Sequence, residues 1–180
     1  MIVNWKPDSN APIWGGQNSD NENFFKNLKL NHIQQIGPSC VATTLTMIAR
    51  STGAEVTVDY FKSKTNSQSP QTWSDSLKPF GMQLAYCNVD LRRIEYYIDD
   101  LISHDDLFLI SFYSTNPPSD PDRNGKLCTA HIVTMHRDKI YDTAKSINFG
   151  GLVKAHNYSR LERQTKRIFR VVPLGHPRCL

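Results

Sequence analysis

The chain has 180 residues, a formal net charge of +4 at pH 7, 39% hydrophobic residues and 21% charged residues. This composition fits one globular domain with a buried core, and no apolar run reaches the ~20 residues that a membrane-spanning helix needs. So small a positive excess does not indicate nucleic-acid binding, and no basic segment followed by an apolar one marks a Sec signal peptide at the N-terminus.

The cysteines indicate the redox setting. Cys40, Cys87, Cys128 and Cys179 are far apart and share no repeated spacing. Without a signal peptide we expect reduced thiols and a cytoplasmic location; export by a route other than Sec, with two disulfides, is the alternative. Cys128 precedes His131 by three positions, but no second close Cys/His pair accompanies them, so no structural zinc is predicted. We expect no cofactor, because no phosphate-binding loop or dinucleotide fingerprint is visible.

The first predicted element is an irregular arm over residues 1–30, which are rich in Asn, Pro, Gly and Ser. Its aromatic residues, Trp5, Trp14, Phe24 and Phe25, are able to hold such an arm against a surface. Residues 31–180 are predicted to form a single domain, since no linker long enough to divide them is present.

Helices are predicted next in the chain. Val41, Leu45 and Ile48 recur at the 3.6-residue period after Pro38, which suits a helix start, and Gly53 is the expected stop. Two shorter helical segments are predicted within 57–65 and 71–81. Asp90 is predicted to cap a further helix. Its apolar face is made by Leu91, Ile94, Ile98, Leu101 and Ile102.

Strands dominate the rest of the sequence. Five strand candidates are predicted, at 82–89, 106–113, 128–136, 138–144 and 167–173. Two adjacent prolines and an Asn-Gly pair make 114–126 a surface loop. Because helices come first and strands follow, the sequence favours an α+β fold with a mainly antiparallel sheet.

Cys40 is the candidate nucleophile. It lies at the predicted start of the first helix, where unpaired N–H groups and the positive end of the helix dipole stabilise a thiolate. A buried structural cysteine is the common alternative for such a residue.

Three more residues complete a candidate catalytic set. His131, at a strand start, could accept the thiol proton. Asp142 follows a reversal at 137–139 and could orient that imidazole if the pairing of the two strands is offset. Gln34, six positions before Cys40, could donate its carboxamide N–H to a developing oxyanion. Each residue alone has an ordinary structural explanation; their order and local settings together favour catalysis.

The segments "QQIGPSCVATTLTMIARSTG" and "AHIVTMHRDKIYDTA" resemble the papain-like cysteine peptidases, and among them the bacteriocin-leader peptidases of ABC exporters and their free-standing relatives. The resemblance spans roughly residues 30–150. It implies a papain-like fold in which a helical half bearing the cysteine packs on an antiparallel sheet. It also implies that Cys40 is the nucleophile, His131 the base, Asp142 the orienting acid and Gln34 the oxyanion glutamine.

The chain departs from the family pattern at three points. Val41 stands where the family usually has Gly, Thr143 stands where it has Pro, and the stretch between His131 and Asp142 is short. No exporter membrane domain follows, so a stand-alone enzyme acting on a peptide or protein is expected. The alternatives are a deamidase, transglutaminase or acyltransferase, which share a thioester intermediate, and a non-catalytic peptide-binding module.

Two hypotheses concern regions outside this set. The arm at 1–30 could lie across the cleft and limit access. The basic tail is most simply a solvated helix face leading into a strand, with a patch for acidic partners as the alternative. Its cations are Arg160, Arg163, Lys166, Arg167 and Arg170.

Overall fold

The computed structural model describes residues 23–87, 92–114, 130–176 and 179–180. The helices within these ranges are α1 (Cys40–Arg50), α2 (Val58–Lys64), α3 (Pro70–Leu77) and α4 (Ile98–His104). The strands are β1 (Met82–Cys87), β2 (Leu107–Tyr113), β3 (Ala130–His136), β4 (Lys139–Tyr141), β5 (Leu152–Lys154) and β6 (Thr165–Pro173). None of these helices is long and apolar enough to cross a bilayer.

The six strands form one sheet in the order β1-β6-β2-β3-β4-β5, and every neighbouring pair is antiparallel. The first three helices precede the sheet in the chain and α1 packs against β3. The predicted α+β class with an antiparallel sheet is therefore confirmed.

Alternating residues of the strands build a separate core on each face of the sheet. Leu109 and Phe169 belong to the core that contains α1, α2 and α3. Phe108 and Ile168, each one position away, belong to the core that contains α4. Residues 41–49 of α1 are all buried, so this helix is enclosed on every side and not only along the predicted apolar stripe.

Several element boundaries differ from the sequence prediction. α1 ends at Arg50, and Gly53, with a φ of +89°, closes the turn that follows. The helix predicted after position 90 is divided into a 3-10 turn at Ile94–Tyr96 and α4, and its predicted cap Asp90 lies outside the described residues. The predicted helix ahead of β6 is a series of turns, and β5 was not predicted because three residues are too few to show an alternation.

A buried ion pair anchors the described end of the N-terminal segment. Asp106 accepts from Arg170 at 2.8 Å (Nη2) and 3.1 Å (Nε), and both side chains are 1% exposed or less. The same carboxylate accepts the backbone N–H groups of Phe24 and Phe25 at 3.1 and 2.8 Å. The guanidinium also lies 4.7 Å from the Phe24 ring. One carboxylate thus joins this segment, β2 and β6.

Asp106→Asn should lower the free energy of unfolding by about 3–5 kcal/mol, because it leaves the Arg170 guanidinium buried without its counter-charge. The neighbouring Asp105→Asn is the matched control. Asp105 holds the exposed Arg137 at 2.9 Å, and its loss should cost at most about 1 kcal/mol. Urea unfolding followed by circular dichroism measures both, and equal losses would contradict the assignment.

Candidate active site

Cys40 is the first residue of α1 and is half-buried. The chain turns into the helix at Gly37, where φ is +66°, and Ser39 closes the turn by donating its hydroxyl to the Ile36 carbonyl at 3.0 Å. The first N–H groups of a helix have no partner within it. The Cys40 thiol therefore lies beside backbone donors at the N-terminal end of α1, as the sequence predicted.

His131 lies at the start of β3 and faces two of the other predicted residues. Its Nε2 is 2.8 Å from Asp142 Oδ1. Because an ionised carboxylate only accepts hydrogen bonds, Nε2 carries a proton. The Cys40 side chain is close enough to the imidazole to raise its pKa, and Nδ1 is the ring nitrogen left to face it. Asp142 and Cys40 are therefore on opposite sides of one ring.

Asp142 reaches His131 diagonally across the β3–β4 hairpin. Thr134 pairs with Tyr141, so the same register would put Asp142 opposite Val133, two residues from His131. This is the offset on which the sequence argument depended. Diagonal neighbours of an antiparallel pair are within reach of long side chains, and the imidazole covers this separation.

The Asp142 carboxylate is fully buried and accepts three hydrogen bonds. Besides His131, the Tyr158 hydroxyl donates to Oδ2 at 2.6 Å and the Ala144 N–H donates to Oδ1 at 2.9 Å. Phe112 packs edge-on against His131, with ring centroids 5.5 Å apart, and lies 6.3 Å from the Tyr158 ring. The carboxylate is thus satisfied and the imidazole is held in one orientation.

These contacts set the charges of the pair. Burial lowers the pKa of His131, but the hydrogen bonds and charges of Asp142 and Cys40 outweigh it and raise that pKa to about 9. Burial raises the pKa of Asp142, but His131, Tyr158 and the Ala144 N–H bring it down to about 2. At neutral pH the site therefore holds an imidazolium against a carboxylate.

The segment before Cys40 is bonded to the residues after β4. The Gln35 N–H donates to the Thr143 carbonyl at 2.7 Å, and the Thr143 hydroxyl donates to Gln35 Oε1 at 2.9 Å. His32 Nε2 lies 2.8 Å from the Asp142 carbonyl and must donate to it, since a carbonyl only accepts. These bonds bring Cys40 and Asp142 to the same end of the sheet.

The two glutamines differ in their surroundings. The Gln35 carboxamide is half-buried and donates to the Gly37 carbonyl at 3.0 Å in addition to its bond with Thr143. Gln34 is exposed, and its carboxamide makes no hydrogen bond with the residues that the structure describes. Gln34 is therefore the carboxamide that is available to a ligand.

Sequence reasoning did not identify Tyr158 or His32. Tyr158 lies in a stretch of turns with no motif, and only its contact with Asp142 distinguishes it. His32 is two positions before Gln34, so its position beside the glutamine pair was the one available signal. His136 is at the other end of β3, where Nε2 donates to the Phe25 carbonyl at 3.1 Å, and it does not join the site.

No family model and no curated protein matches the chain. Its fold is similar to the peptidase domain of Streptococcus ComA, a bi-functional ABC transporter involved in a quorum-sensing pathway, with a TM-score of 0.53 and 14% identity, covering 81% of this chain and 99% of that one.

Two further solved structures are similar. One is a double-glycine-motif protease from an AMS/PCAT transporter in complex with the leader peptide. Its TM-score is 0.49 at 17% identity, and the match covers 81% of this chain and 91% of that one. The other is described as a C39-like peptidase from Bacillus anthracis. Its TM-score is 0.45 at 14% identity, and the match covers 82% of this chain and 96% of that one. At such identities the likeness to ComA establishes the fold, and the chain has the papain-like fold of the bacteriocin-leader peptidase domains that the sequence resemblance implied.

The His131 imidazole should titrate near pH 9 in an NMR pH series. In the Asp142→Asn variant the pKa of His131 should return toward the ordinary ~6.5, because the charged acceptor is lost. Tyr158→Phe should lower it less, since it removes one hydrogen bond from Asp142. The raised pKa of His131 also makes the free energy of unfolding depend on pH. The stabilisation that protonated His131 contributes should be complete below about pH 6.5 and should decline as the pH rises through 9. The Asp142 contribution should be present above about pH 4 and decline as the pH falls through about 2.

His136 is the internal control for this titration. It lies on the same strand, and burial lowers its pKa below the ordinary value. The two histidines should therefore shift in opposite directions, and a His131 that titrates together with His136 would contradict the arrangement.

Proposed function

We propose that the chain is a cysteine peptidase that hydrolyses a peptide or isopeptide amide through a thioester intermediate. The observation that carries the proposal is the His131 imidazole, hydrogen-bonded to the Asp142 carboxylate and near enough to Cys40 for that side chain to raise its pKa. Nucleophile, base and orienting acid are the three groups that this chemistry requires. The proposed catalytic unit is residues 31–180, and its substrate is a peptide or protein.

The proposed reaction has two halves, formation of a thioester on Cys40 and its hydrolysis, and His131 transfers a proton in each. Cys40 attacks the carbonyl carbon as a thiolate whose proton is already held at His131 Nδ1, and the C–S bond forms. The imidazolium returns that proton to the amide nitrogen, and the C–N bond breaks. The imidazole, now neutral, accepts a proton from water as the water attacks the thioester. The C–S bond breaks, the acid is released and the thiolate–imidazolium pair is restored. Asp142 keeps Nε2 protonated and compensates the imidazolium charge.

Gln34 and the Cys40 N–H are the proposed donors to the oxyanion. The Cys40 N–H is in the first turn of α1, where no helical acceptor is available. The Gln34 carboxamide is exposed and unbonded within the described part of the chain, whereas that of Gln35 is engaged. Donors of this kind stabilise the negative charge that develops on the carbonyl oxygen.

The same constellation supports a second enzymatic candidate. A thioester on Cys40 could pass its acyl group to an amine, or could form from a side-chain amide, so transglutaminase, acyltransferase and deamidase activity use the same residues. Product masses separate hydrolysis, transfer and deamidation. A reducing location is part of the proposal, because a thiolate nucleophile has to be protected from oxidation.

Iodoacetamide at pH 7 should alkylate Cys40 faster than the other thiols. His131→Ala should slow the labelling of Cys40 at least about tenfold. The same variant should lower turnover on a peptide library by roughly 10⁴-fold or more. The other described cysteines, Cys87 and Cys179, are free thiols and serve as internal controls. Burial raises the pKa of Cys87, so it should label slowly. Peptide mapping by mass spectrometry measures each site. Equal, slow labelling of all thiols would favour the non-catalytic peptide-binding module.

Gln34→Ala should reduce kcat by about 10²–10³-fold with little change in melting temperature, because an oxyanion donor is lost and no described contact is broken. Gln35→Ala is the matched control. It removes the hydrogen bonds to Thr143 and Gly37, so its main effect should be a loss of roughly 1–2 kcal/mol of stability. If Gln34→Ala leaves kcat unchanged, Gln34 is not the oxyanion donor.

A further inference from the structure

The basic tail of the sequence divides into cations with different surroundings. Arg170 is buried against Asp106. Arg163 Nε lies 3.4 Å from Glu162. Arg167 is exposed and Lys166 is half-buried, and neither forms an ion pair with a carboxylate in the residues that the structure describes. Within the described ranges, these two positive charges on β6 are therefore without a carboxylate partner.

A β-bulge interrupts the regular alternation of β6 at these two cations. Ser111 pairs with Arg167 but Phe112 pairs with Thr165, so Lys166 is the extra residue on β6. A bulge breaks the simple alternation of a strand and changes the direction of the side chains beside it. Lys166 and Arg167 need not point to opposite faces of the sheet as neighbouring strand residues otherwise would.

Each of the two cations is placed against a tyrosine. Arg167 Nη1 donates to the Tyr86 hydroxyl at 2.9 Å, and its guanidinium carbon lies 5.5 Å from the Tyr86 ring centroid. Lys166 Nζ lies 5.8 Å from the Tyr113 ring centroid. A ring face orients a cation without neutralising it, so the two tyrosines leave both charges in place.

The sheet register places these pairs next to the candidate active site. Tyr113 pairs with Ala130, which precedes His131, and Phe112 pairs with His131 itself. β6 is two strands away from β3, a separation of about 10 Å at ~4.8 Å per strand.

The Arg167–Tyr86 pair is on the face of the sheet that α1 covers. The Tyr86 ring packs on Phe169, with ring centroids 5.0 Å apart. Phe169 belongs to the core beneath α1, and Cys40 packs against the same core. The Arg167–Tyr86 pair and Cys40 therefore border the same core.

We propose that Lys166 and Arg167, held by Tyr113 and Tyr86, form a substrate subsite for the carboxylate of an acidic side chain. The inference rests on the proposed function and adds a substrate class to it, peptides with Asp or Glu near the scissile bond. An extended peptide advances ~3.3 Å per residue, so a separation of about 10 Å places the acidic residue about three positions from that bond. Guanidinium and ammonium groups at a polar rim select a charge more than they add affinity.

The first test is binding, which does not require turnover. Fluorescent peptide pools with Glu or Gln scanned over four positions on each side of a fixed centre are titrated onto the Cys40→Ala chain. Glu pools should bind about tenfold more tightly than Gln pools at two to four positions from the centre, with the difference reduced by salt. Peptides with amidated C-termini separate side-chain recognition from recognition of a terminal carboxylate.

The double variant Lys166→Gln/Arg167→Gln, made in the same Cys40→Ala chain, should abolish the preference for Glu pools. Lys139→Gln/Lys154→Gln is the matched control, because these two exposed cations face each other on β4 and β5 and carry the same total charge. The control should change the preference less than twofold. Arg167→Glu should transfer the preference from Glu pools to Lys pools.

The outcomes separate the subsite from the proposed function. Cleavage of peptides by the unmodified chain without any preference for Glu, or equal effects of the two double variants, would overturn the subsite and leave the peptidase proposal intact. A Glu preference in binding, together with no cleavage of any pool, would support the subsite and contradict the peptidase.

Discussion

The buried carboxylate of Asp142 is the constraint on which the candidate site depends. A carboxylate without solvent is costly unless donors surround it, and His131, Tyr158 and the Ala144 N–H supply them. The backbone of the same residue is used as well, since its N–H donates to Gly151 and its carbonyl accepts from His32. One residue thereby joins β3, the turn after β5 and the segment that leads to Cys40.

Close packing around Gly151 supports this arrangement. A Cβ on Gly151 would lie 2.6 Å from the carbonyl oxygens of Lys145 and Ser146 and 2.7 Å from His32 Nε2. These contacts are shorter than real side chains show, so glycine lets the loop after β4 and the His32 segment approach each other. Backbone packing consequently helps to set the position of the Cys40 segment relative to Asp142.

The two ends of β3 place their histidines in different electrostatic surroundings. At the His131 end, burial is combined with a carboxylate and a thiol, and the imidazole is charged at neutral pH. At the His136 end, burial dominates and the imidazole tends to be neutral. The Asp106–Arg170 pair holds Phe24 and Phe25 at this second end, opposite to the His131 end of β3.

The sequence by itself determined the local features. A helix beginning at Cys40, the strand character of the segment containing His131, the reversal before Asp142 and the α+β class follow from periodicity and turn chemistry within about ten residues. Only the tertiary structure decided that Tyr158 holds Asp142, that the Gln34 carboxamide is open while that of Gln35 is bonded, and which cations of the basic tail are buried. Those outcomes depend on pairs of residues far apart in the chain, and the period of a single segment carries no information about which distant side chain satisfies a buried charge.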